Sequence, residues 1–549
     1  MQKEELKELF EKDPQSTPQN NINSEMLSEI DNLIFEKFDE NNVSEEVLSV
    51  YKKFVPMKQE APDSMKDVLF ITIRNFANDE LSKGNYLNSL ILFRFLTVKS
   101  ILQAEDFPSI AKCLVSIGEV SDFLTESLCY LYEEKSDNKL LCYIDLADFY
   151  KSIKNNQRAI ESYEKFLEID KTKVAVYTIT ADLYSKEYGD ERLDRQIELY
   201  KAAYQLAPDN RLVLHGLAFC YEGIGDNENA EIYYKKLLEN NPTENDYYNY
   251  GGFLIHCGDF INGHRYFAHR TNVDDINLKY PIEDESRRWD LKSDISDKTL
   301  VIHYEQGFGD TIMYSRFVPI FDGIAKKVIF VVQEELSDLI KNSEIFKDIT
   351  VVTSIEDVEY DYSMALLDTP LALGVDIEAM PFTTEYLNVS QEKILEYKNK
   401  HLPDSAKIRV GISCSGDMNA NYASRDLDIS RLSVLKDIEN TQFFNLQKND
   451  ANAEFVTNLG DTFSNFTDTA AALKNMDVII STDNVILNLA GALGIKTLAM
   501  FNKKTNYRWY CTVGENVGWY ESVKPLQCEE QNNWNNVILE LFNELKKTA

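Results

Sequence analysis

The chain has 549 residues, of which 44% are hydrophobic and 11% are aromatic. A single hydrophobic core stops growing at about 250 to 300 residues, so this length excludes a one-domain protein. The 57 Lys and Arg residues are outnumbered by 91 Asp and Glu residues, which gives a formal net charge of -34. Such a surface repels phosphate backbones and argues against general nucleic-acid binding, although a local group of backbone N–H donors can still hold a nucleotide-sized anion.

The composition also predicts where the protein works. The first residues carry charges where a secretory signal needs an apolar run, and no stretch approaches the roughly 18 apolar residues of a membrane helix. Eight cysteines form no C-x-x-C pair, which favours free thiols over disulfides or zinc. We therefore expect a cytoplasmic protein with no transmembrane segment and no metal site.

The N-terminal half shows an internal repeat. Residues 1–64 are predicted to form a helical and mobile segment, and residues 65–285 a tetratricopeptide-like repeat domain, an α-helical solenoid. The clearest repeat lies at 214–242, where apolar residues recur at helical spacing on both sides of a Gly225–Asp226 turn and Pro242 ends the second helix.

Other copies support the same period. The pattern recurs at 143–166 and 177–208, with weaker copies at 83–96 and 257–270. Stacked hairpins of this kind form a concave surface that commonly binds extended polypeptide, so we expect an acceptor protein or peptide as partner. A rigid spacer, or an element that joins copies into a homo-oligomer, is the alternative.

After about residue 285, short apolar runs alternate with amphipathic helical stretches, which is typical of βαβ units. The predicted strands are 299–305, 327–333, 349–355, 407–415, 442–447, 477–482 and 496–501. Several are continuous Val, Ile, Leu and Phe, as in parallel strands buried on both faces. A break near 401–407 predicts two doubly wound, Rossmann-like α/β domains, 286–400 and 401–549, that face a cleft where ligands meet the strand ends.

The first of these strands continues into a glycine-containing loop. Gly307 and Gly309 allow a sharp turn and close approach to a ligand, and Asp310 can cap the helix that follows. This loop is part of an ordered set of segments, which are RRW (287–289), VIHYEQGFGDTIMYSRFVPI (301–320), VGISCSG (410–416), FFNLQK (443–448), FTDTAAALKNMDVIISTDNVILNLAGALG (466–494) and YRWY (507–510).

In this order the segments resemble those of bacterial tetratricopeptide-repeat glycosyltransferases. The catalytic half of that family is similar to the ADP-heptose lipopolysaccharide heptosyltransferases and, more remotely, to O-GlcNAc-type protein transferases. The resemblance covers residues from about 140 to the C-terminus. It implies a GT-B fold with an acceptor-side domain at 286–400 and a donor domain at 401–549. It also implies inverting transfer without a catalytic metal and without a cofactor, the nucleotide-sugar being a cosubstrate.

Inverting transfer needs a base for the acceptor hydroxyl and positive potential on the departing diphosphate. The resemblance assigns the base to Asp310, and a helix N-cap is the alternative for this residue. Glu305 is the second candidate base. Gln306, Gly307 and Gly309 are expected to form the acceptor and phosphate loop.

Donor binding is expected in the second α/β domain, where the helix after residue 484 can hold a diphosphate at its N-terminus. The expected donor-binding residues are Ser413, Ser415, Gly416, Arg425, Gln447, Lys448, Asp468, Ser481, Thr482, Asp483, Asn484 and Asn488. Arg425 and Lys448 are the expected diphosphate cations. Relatives carry Thr at the position of Asn484 and His at that of Asn488, and an asparagine can bind phosphate but carries no charge.

Three functions follow from these features. The first is transfer of a sugar to Ser or Thr hydroxyls of a protein, such as an adhesin or flagellin, that the repeats capture. The second keeps the enzyme and changes the acceptor to a lipid-linked or polysaccharide glycan. The third is a non-catalytic repeat scaffold derived from such an enzyme. Asn484 and Asn488, which replace the Thr and His of relatives, favour this third function.

Overall fold

The computed structural model describes residues 63–98, 106–118, 122–273, 285–356, 358–405, 407–415, 426–448, 453–509 and 518–548. The chain divides into two compact units, 1–217 and 218–549. The predicted N-terminal segment 1–64 lies outside the described residues except for its last two. Over the described helices, none has the length and apolar run that crossing a bilayer requires.

The first unit consists of helix pairs joined by short turns. Its helices are α1 (Asp63–Ser82), α2 (Tyr86–Val98), α3 (Phe107–Ile117), α4 (Asp122–Lys135), α5 (Lys139–Ser152), α6 (Asn156–Ile169), α7 (Val174–Tyr188) and α8 (Leu193–Leu206), and α9 (Arg211–Gly223) continues into the second unit. The predicted α-helical repeat solenoid is therefore confirmed as a helical, tetratricopeptide-like region.

The turn inside a repeat has the same design in different repeats. A residue with left-handed backbone precedes an Asn or Asp that caps the second helix, as Gly225 (φ 79°) precedes Asp226 and Lys154 (φ 61°) precedes Asn155. Each cap side chain accepts the backbone N–H three residues later, which satisfies a donor that the helix start leaves unpaired. The Gly225–Asp226 turn predicted from the sequence is confirmed.

Equivalent tyrosines tie the two helices of a repeat together. Tyr163 donates its hydroxyl to Asp148 at 2.6 Å, and Tyr234 donates to Glu222 at 2.7 Å. Both rings are buried against the preceding helix. The recurring tyrosine thus combines apolar burial with a satisfied polar end.

The second unit begins with helices and continues as an α/β body. Its helices are α10 (Asn227–Glu239), α11 (Glu244–His256), α12 (Phe260–Phe267), α13 (Phe308–Ser315), α14 (Glu334–Lys341), α15 (Thr369–Leu373), α16 (Gln391–His401), α17 (Phe466–Leu473), α18 (Val485–Ala492) and α19 (Asn535–Thr548). Its strands are β1 (Thr299–His303), β2 (Lys327–Val331), β3 (Thr350–Val352), β4 (Tyr362–Ala365), β5 (Ile408–Ser413), β6 (Thr441–Asn445), β7 (Val456–Asn458), β8 (Val478–Thr482), β9 (Thr497–Phe501) and β10 (Val523–Gln527).

These strands form two parallel sheets, as expected of doubly wound, GT-B-type Rossmann-like domains. One sheet has the order β3-β2-β1-β4 and the other β10-β9-β8-β5-β6-β7. The strand order reverses between β1 and β4 in the first sheet and between β5 and β8 in the second. Ligands of such sheets bind at these switch points, outside the carboxyl ends of the strands.

All seven predicted strands are present, and three more strands complete the sheets. β7 reads Val-Thr-Asn and β4 reads Tyr-Ser-Met-Ala, so neither strand is a continuous run of Val, Ile, Leu and Phe. β10 contains Pro525, which removes a backbone donor and is tolerated because β10 is the edge strand of its sheet.

The last helical pair is packed into the α/β body. Phe260 and Phe267 of α12 are buried in the same core as β1 and α13. Arg270, just beyond α12, is completely buried and donates to Glu305 at 2.6 and 2.8 Å and to Asp368 at 2.7 Å. Helices α10–α12 therefore belong to the same compact unit as the α/β body. The predicted boundary between a repeat domain and a catalytic region at residue 285 stays a prediction.

Candidate active site

A cavity of about 570 Å³ opens at the carboxyl ends of both sheets. Its volume lies within the usual range of small-molecule sites. The described lining residues are Gly307, Phe308, Gly309, Asp310, Glu335, Ser413, Ser415, Asp426, Leu446, Gln447, Lys448, Phe463, Ser464, Asn465, Phe466, Thr469, Asp483, Asn484, Val485, Ile486, Asn488 and Arg508. The cavity is thus bounded by both Rossmann-like domains.

Helix N-termini supply partial positive charge to the cavity wall. Among the described helices, α13, α17 and α18 all begin at its wall. A helix start carries partial positive charge and unpaired N–H groups, which favour a bound phosphate. Lys448 and Arg508 add two full charges, against the lining carboxylates of Asp310, Glu335, Asp426 and Asp483.

Asp310 lies in the first turn of α13 and faces the cavity. Gly307, with an extended backbone and no side chain to cap, is the N-cap of this helix. The predicted alternative of Asp310 as the N-cap is therefore wrong. Asp310 instead forms an ion pair with Arg508, which reaches it from the segment after β9. Burial raises the pKa of the Asp310 carboxyl above its ordinary value, while Arg508 opposes that rise.

Glu305, the second candidate base, is placed differently. Its side chain is fully buried, and both of its oxygens accept from Arg270. One oxygen also accepts the backbone N–H of Leu367 at 2.9 Å. A carboxylate held this way cannot approach an acceptor hydroxyl in the cavity, so we do not propose Glu305 as the base.

Gln306 also serves the loop structure. Its side-chain oxygen accepts from Arg508 at 2.7 Å, and its carbonyl accepts from Gln333 at 3.1 Å. Gly307 and Gly309 line the cavity as expected of the predicted loop. A Cβ on Gly309 would lie 3.1 Å from the Asn488 amide nitrogen, so the backbones of α13 and α18 approach closely here.

Asn484 joins the two strand ends at the switch point. It is the N-cap of α18, and its oxygen accepts the backbone N–H of Ile486 at 2.9 Å. Its amide nitrogen donates to the Ser413 hydroxyl at 3.1 Å and to the Ser415 carbonyl at 3.3 Å. A threonine can cap a helix but has one donor, so the asparagine adds a link between the loops that follow β5 and β8.

Asn488 lines the cavity one helical turn later. Its oxygen accepts the hydroxyl of Tyr520 at 3.0 Å, and its nitrogen donates to the Asn484 carbonyl at 3.3 Å. Tyr520 can lie this close because the neighbouring helix position is Gly491, where an added Cβ would be 2.4 Å from the tyrosine ring. The asparagine is thus part of a packed Gly–Tyr–Asn arrangement.

Replacing Gly491 by alanine is expected to lower the free energy of unfolding by about 1–3 kcal/mol, because the new methyl group overlaps the buried Tyr520 ring. Urea unfolding followed by tryptophan fluorescence measures this directly, since all four tryptophans lie in residues 218–549. Gly252→Ala in α11 is the matched control. The nearest atoms there are 3.9 Å away, so alanine should stabilise by about 0.5–1 kcal/mol. Equal effects of the two substitutions would contradict this packing.

The predicted residues after β5 and β6 lie together. Ser413, Ser415, Gln447 and Lys448 all line the cavity. The Gln447 side chain accepts the Cys414 backbone N–H at 2.6 Å and donates to the Ser415 hydroxyl. These bonds fix the loop that carries Lys448.

Other predicted residues are placed elsewhere or are not described. Ser481 and Thr482 are buried below the cavity, and the Ser481 hydroxyl donates to Asn484 at 3.1 Å. Asp468 accepts the backbone N–H of Ser464 and supports the start of α17. Gly416 and Arg425 lie outside the described residues, so their predicted contacts with the donor stay predictions.

The structure adds lining residues that the sequence reasoning missed. Asn465 is the N-cap of α17, and its side-chain oxygen accepts the backbone N–H of Asp468. An Asn three residues before an Asp is a sequence signal for a helix start and could have identified this residue. Phe308 and Phe466 also line the cavity, and their ring centres lie 4.9 Å apart. Glu335 and Asp426 also line it. Their sequence contexts carry no local signal of a site.

Comparison with known proteins identifies the repeats and one curated relative. Residues 141–173 and 213–244 match the tetratricopeptide repeat family. The chain is similar to protein FlbA of Caulobacter vibrioides, with 23% identity over 277 residues, and this match spans 45% of the chain and 46% of FlbA. The chain therefore covers less than half the length of this curated relative.

Solved structures of two kinds each resemble part of the chain. The MamA crystal structure has 18% identity and a TM-score of 0.27, covering 31% of this chain and 91% of MamA. The Escherichia coli ADP-heptose lps heptosyltransferase II has 10% identity and a TM-score of 0.34, covering 46% of this chain and 100% of its own. A glycosyl transferase family 9 protein from Veillonella parvula has 11% identity and a TM-score of 0.34, covering 46% and 91%. At these identities and TM-scores the likenesses decide nothing about activity.

Proposed function

We propose that the chain is an inverting glycosyltransferase that moves a sugar from a nucleotide-sugar donor to a Ser or Thr hydroxyl of a protein held by the repeats. One observation carries the proposal. At the carboxyl ends of two parallel sheets, a single cavity brings Asp310 together with the starts of α17 and α18 and with Lys448. The site therefore offers a base and a diphosphate cradle to one bound donor.

The chemistry follows from these positions. The oxygen of the acceptor hydroxyl attacks the anomeric carbon from the face opposite the leaving group. Asp310 accepts the proton of that hydroxyl during the attack. The bond from that carbon to the diphosphate breaks, the nucleoside diphosphate departs, and the configuration inverts. The helix starts and Lys448 stabilise the developing charge, a role that a metal ion fills in other transferases. Metal-independent transfer is proposed on this basis.

The acceptor is proposed from the repeats. Tetratricopeptide-like surfaces bind polypeptide, which favours a protein acceptor over a lipid-linked or polysaccharide glycan. Assembly of copies through the same repeats and a cytoplasmic location are part of the proposal. The non-catalytic alternative is favoured by the uncharged Asn488, whose oxygen is already bonded to Tyr520.

Binding of a nucleoside diphosphate is the first expected result. Among UDP, GDP and ADP, at least one should raise the thermal midpoint by a few degrees, because a ligand at about 100 times its Kd adds about 2.7 kcal/mol to the stability. Lys448→Gln should weaken that binding by about tenfold through loss of a charge-assisted hydrogen bond.

Two outcomes decide against the proposal. If no nucleotide shifts the midpoint, the cavity is not a nucleotide site and the repeat scaffold is the better account. If a nucleotide binds but no nucleotide-sugar is turned over, the site binds without catalysis. Mass spectrometry of candidate acceptor proteins and glycans after incubation with the bound donor distinguishes the two acceptor classes.

A further inference from the structure

Arg508 connects the two α/β domains at the cavity. It follows β9 of the second sheet, whereas its partners Asp310 and Gln306 follow β1 of the first sheet. Its third side-chain partner is Asn506, at 2.8 Å. A single guanidinium thus spans the cavity from the donor side to the candidate base.

The backbone and ring contacts of Arg508 fix its position. The Trp519 indole donates to the Arg508 carbonyl at 2.6 Å, and the guanidinium lies 4.6 Å from the Tyr507 ring centre. Tyr507 packs on Phe267 of α12, with ring centres 5.0 Å apart. The arginine is therefore held at the cavity wall by several buried groups.

Arg508 retains donors for a ligand. A guanidinium has five N–H groups, and the side-chain bonds to Asp310, Gln306 and Asn506 use three of them. Over the described residues, the other two have no bonded partner. They belong to the two terminal nitrogens of a residue that lines the cavity. The fork geometry of these nitrogens suits two oxygens of a phosphate.

We propose that Arg508 is shared between the Asp310 carboxylate and the diphosphate of the bound donor, so that donor binding draws the guanidinium away from Asp310 and releases it to act as the base. The inference rests on the proposed function. It adds a positioning residue and a coupling between donor binding and the base. Two anions compete for one cation, and each therefore weakens the other's hold on it.

Inorganic pyrophosphate tests the competition without a sugar, a nucleobase or an acceptor. Asp310→Asn removes the competing carboxylate, so pyrophosphate should bind at least about fivefold more tightly by calorimetry. Arg508→Gln should weaken pyrophosphate binding, and in that background Asp310→Asn should give no gain. Glu335→Gln is the matched control, since it also removes a lining carboxylate, and its effect should be the same with and without Arg508.

The pH dependence supplies a second readout. The charged and titratable groups that face Asp310 are Arg508, Asp483, Glu305, Tyr314 and Tyr507. Below its pKa the carboxyl is protonated and cannot accept a proton, so kcat/KM falls on the acid side. Arg508 lowers this pKa, and Arg508→Gln should therefore move the acid limb to higher pH. Arg508→Lys keeps the charge and should move it less.

The outcomes separate this inference from the proposed function. If Asp310→Asn does not tighten pyrophosphate binding, or tightens it equally without Arg508, the sharing of Arg508 is wrong even if transfer occurs. If no variant binds pyrophosphate, the inference is also wrong. If the Arg508-dependent gain is found but no nucleotide-sugar is turned over, the sharing of Arg508 between two anions stands and the proposed function fails. Thermal unfolding of Arg508→Gln and Arg508→Lys verifies that both variants are folded.

Discussion

Asp310→Asn is expected to lower kcat by about 100- to 10,000-fold, the usual contribution of a positioned general base. Asparagine fills nearly the same space but cannot accept a proton from the acceptor hydroxyl. Binding of the nucleoside diphosphate should be retained or strengthened, because a negative charge leaves the cavity. The measurement is steady-state turnover of the donor with saturating acceptor, together with nucleotide affinity for the same preparation.

Glu335→Gln is the control for this prediction. Glu335 is an exposed carboxylate at the same cavity, in the first turn of α14, and is not assigned to proton transfer. Its replacement should leave kcat close to that of the unsubstituted protein. If Asp310→Asn retains full turnover, Asp310 is not the base. If both substitutions lower kcat equally, the effect comes from the charge of the cavity and not from a base.

Arg270→Met is expected to lower the free energy of unfolding by about 3–5 kcal/mol. Arg270 is completely buried and joins the segment after α12 to Glu305 and Asp368 of the α/β body. Without it, two carboxylates remain buried after losing their main partner. Tryptophan fluorescence in urea reports on this change, because the four tryptophans all lie in residues 218–549.

Arg265→Met, in helix α12 just before Arg270, is the matched control. Arg265 is exposed and bonds to Asn262 within its own helix at 3.1 Å. Its loss should change the unfolding free energy by no more than about 0.5 kcal/mol. Equal stability of Arg270→Met and the unsubstituted protein would show that α12 does not stabilise the α/β body. The expected result also implies that deleting residues 1–275 would damage the α/β body itself.

Local pattern was sufficient for most of the fold. The repeats at 143–166 and 214–242 carry helical spacing and the seven predicted strands carry apolar runs, and a short window contains either signal. The Gly307–Asp310 loop and Asn484 could be placed at the cavity because strand ends meet at one edge of a parallel sheet. Three further strands among the described residues could not be predicted, since β4 and β7 lack a continuous run of Val, Ile, Leu and Phe and β10 contains a proline.

The pairings that define the site are contacts between distant positions. Asp310 meets Arg508 across 198 residues, and Glu305 meets Arg270 across 35 residues. No spacing rule within one segment indicates either pair, so the sequence predicted Asp310 as a base or a helix cap and Glu305 as the second candidate base, without the arginine that each of them binds. The contact between Tyr520 and Asn488 could not be predicted for the same reason, since only the folded structure brings the Tyr520 ring against Gly491.

Release of nucleoside diphosphate from a panel of nucleotide-sugars tests the central claim most directly. The full chain is incubated with each nucleotide-sugar, with and without candidate acceptors, and the released nucleoside diphosphate is quantified. We predict that at least one donor is turned over by the unsubstituted protein and that Asp310→Asn abolishes most of that release. Release from none of the donors, or equal release by both proteins, would contradict the account.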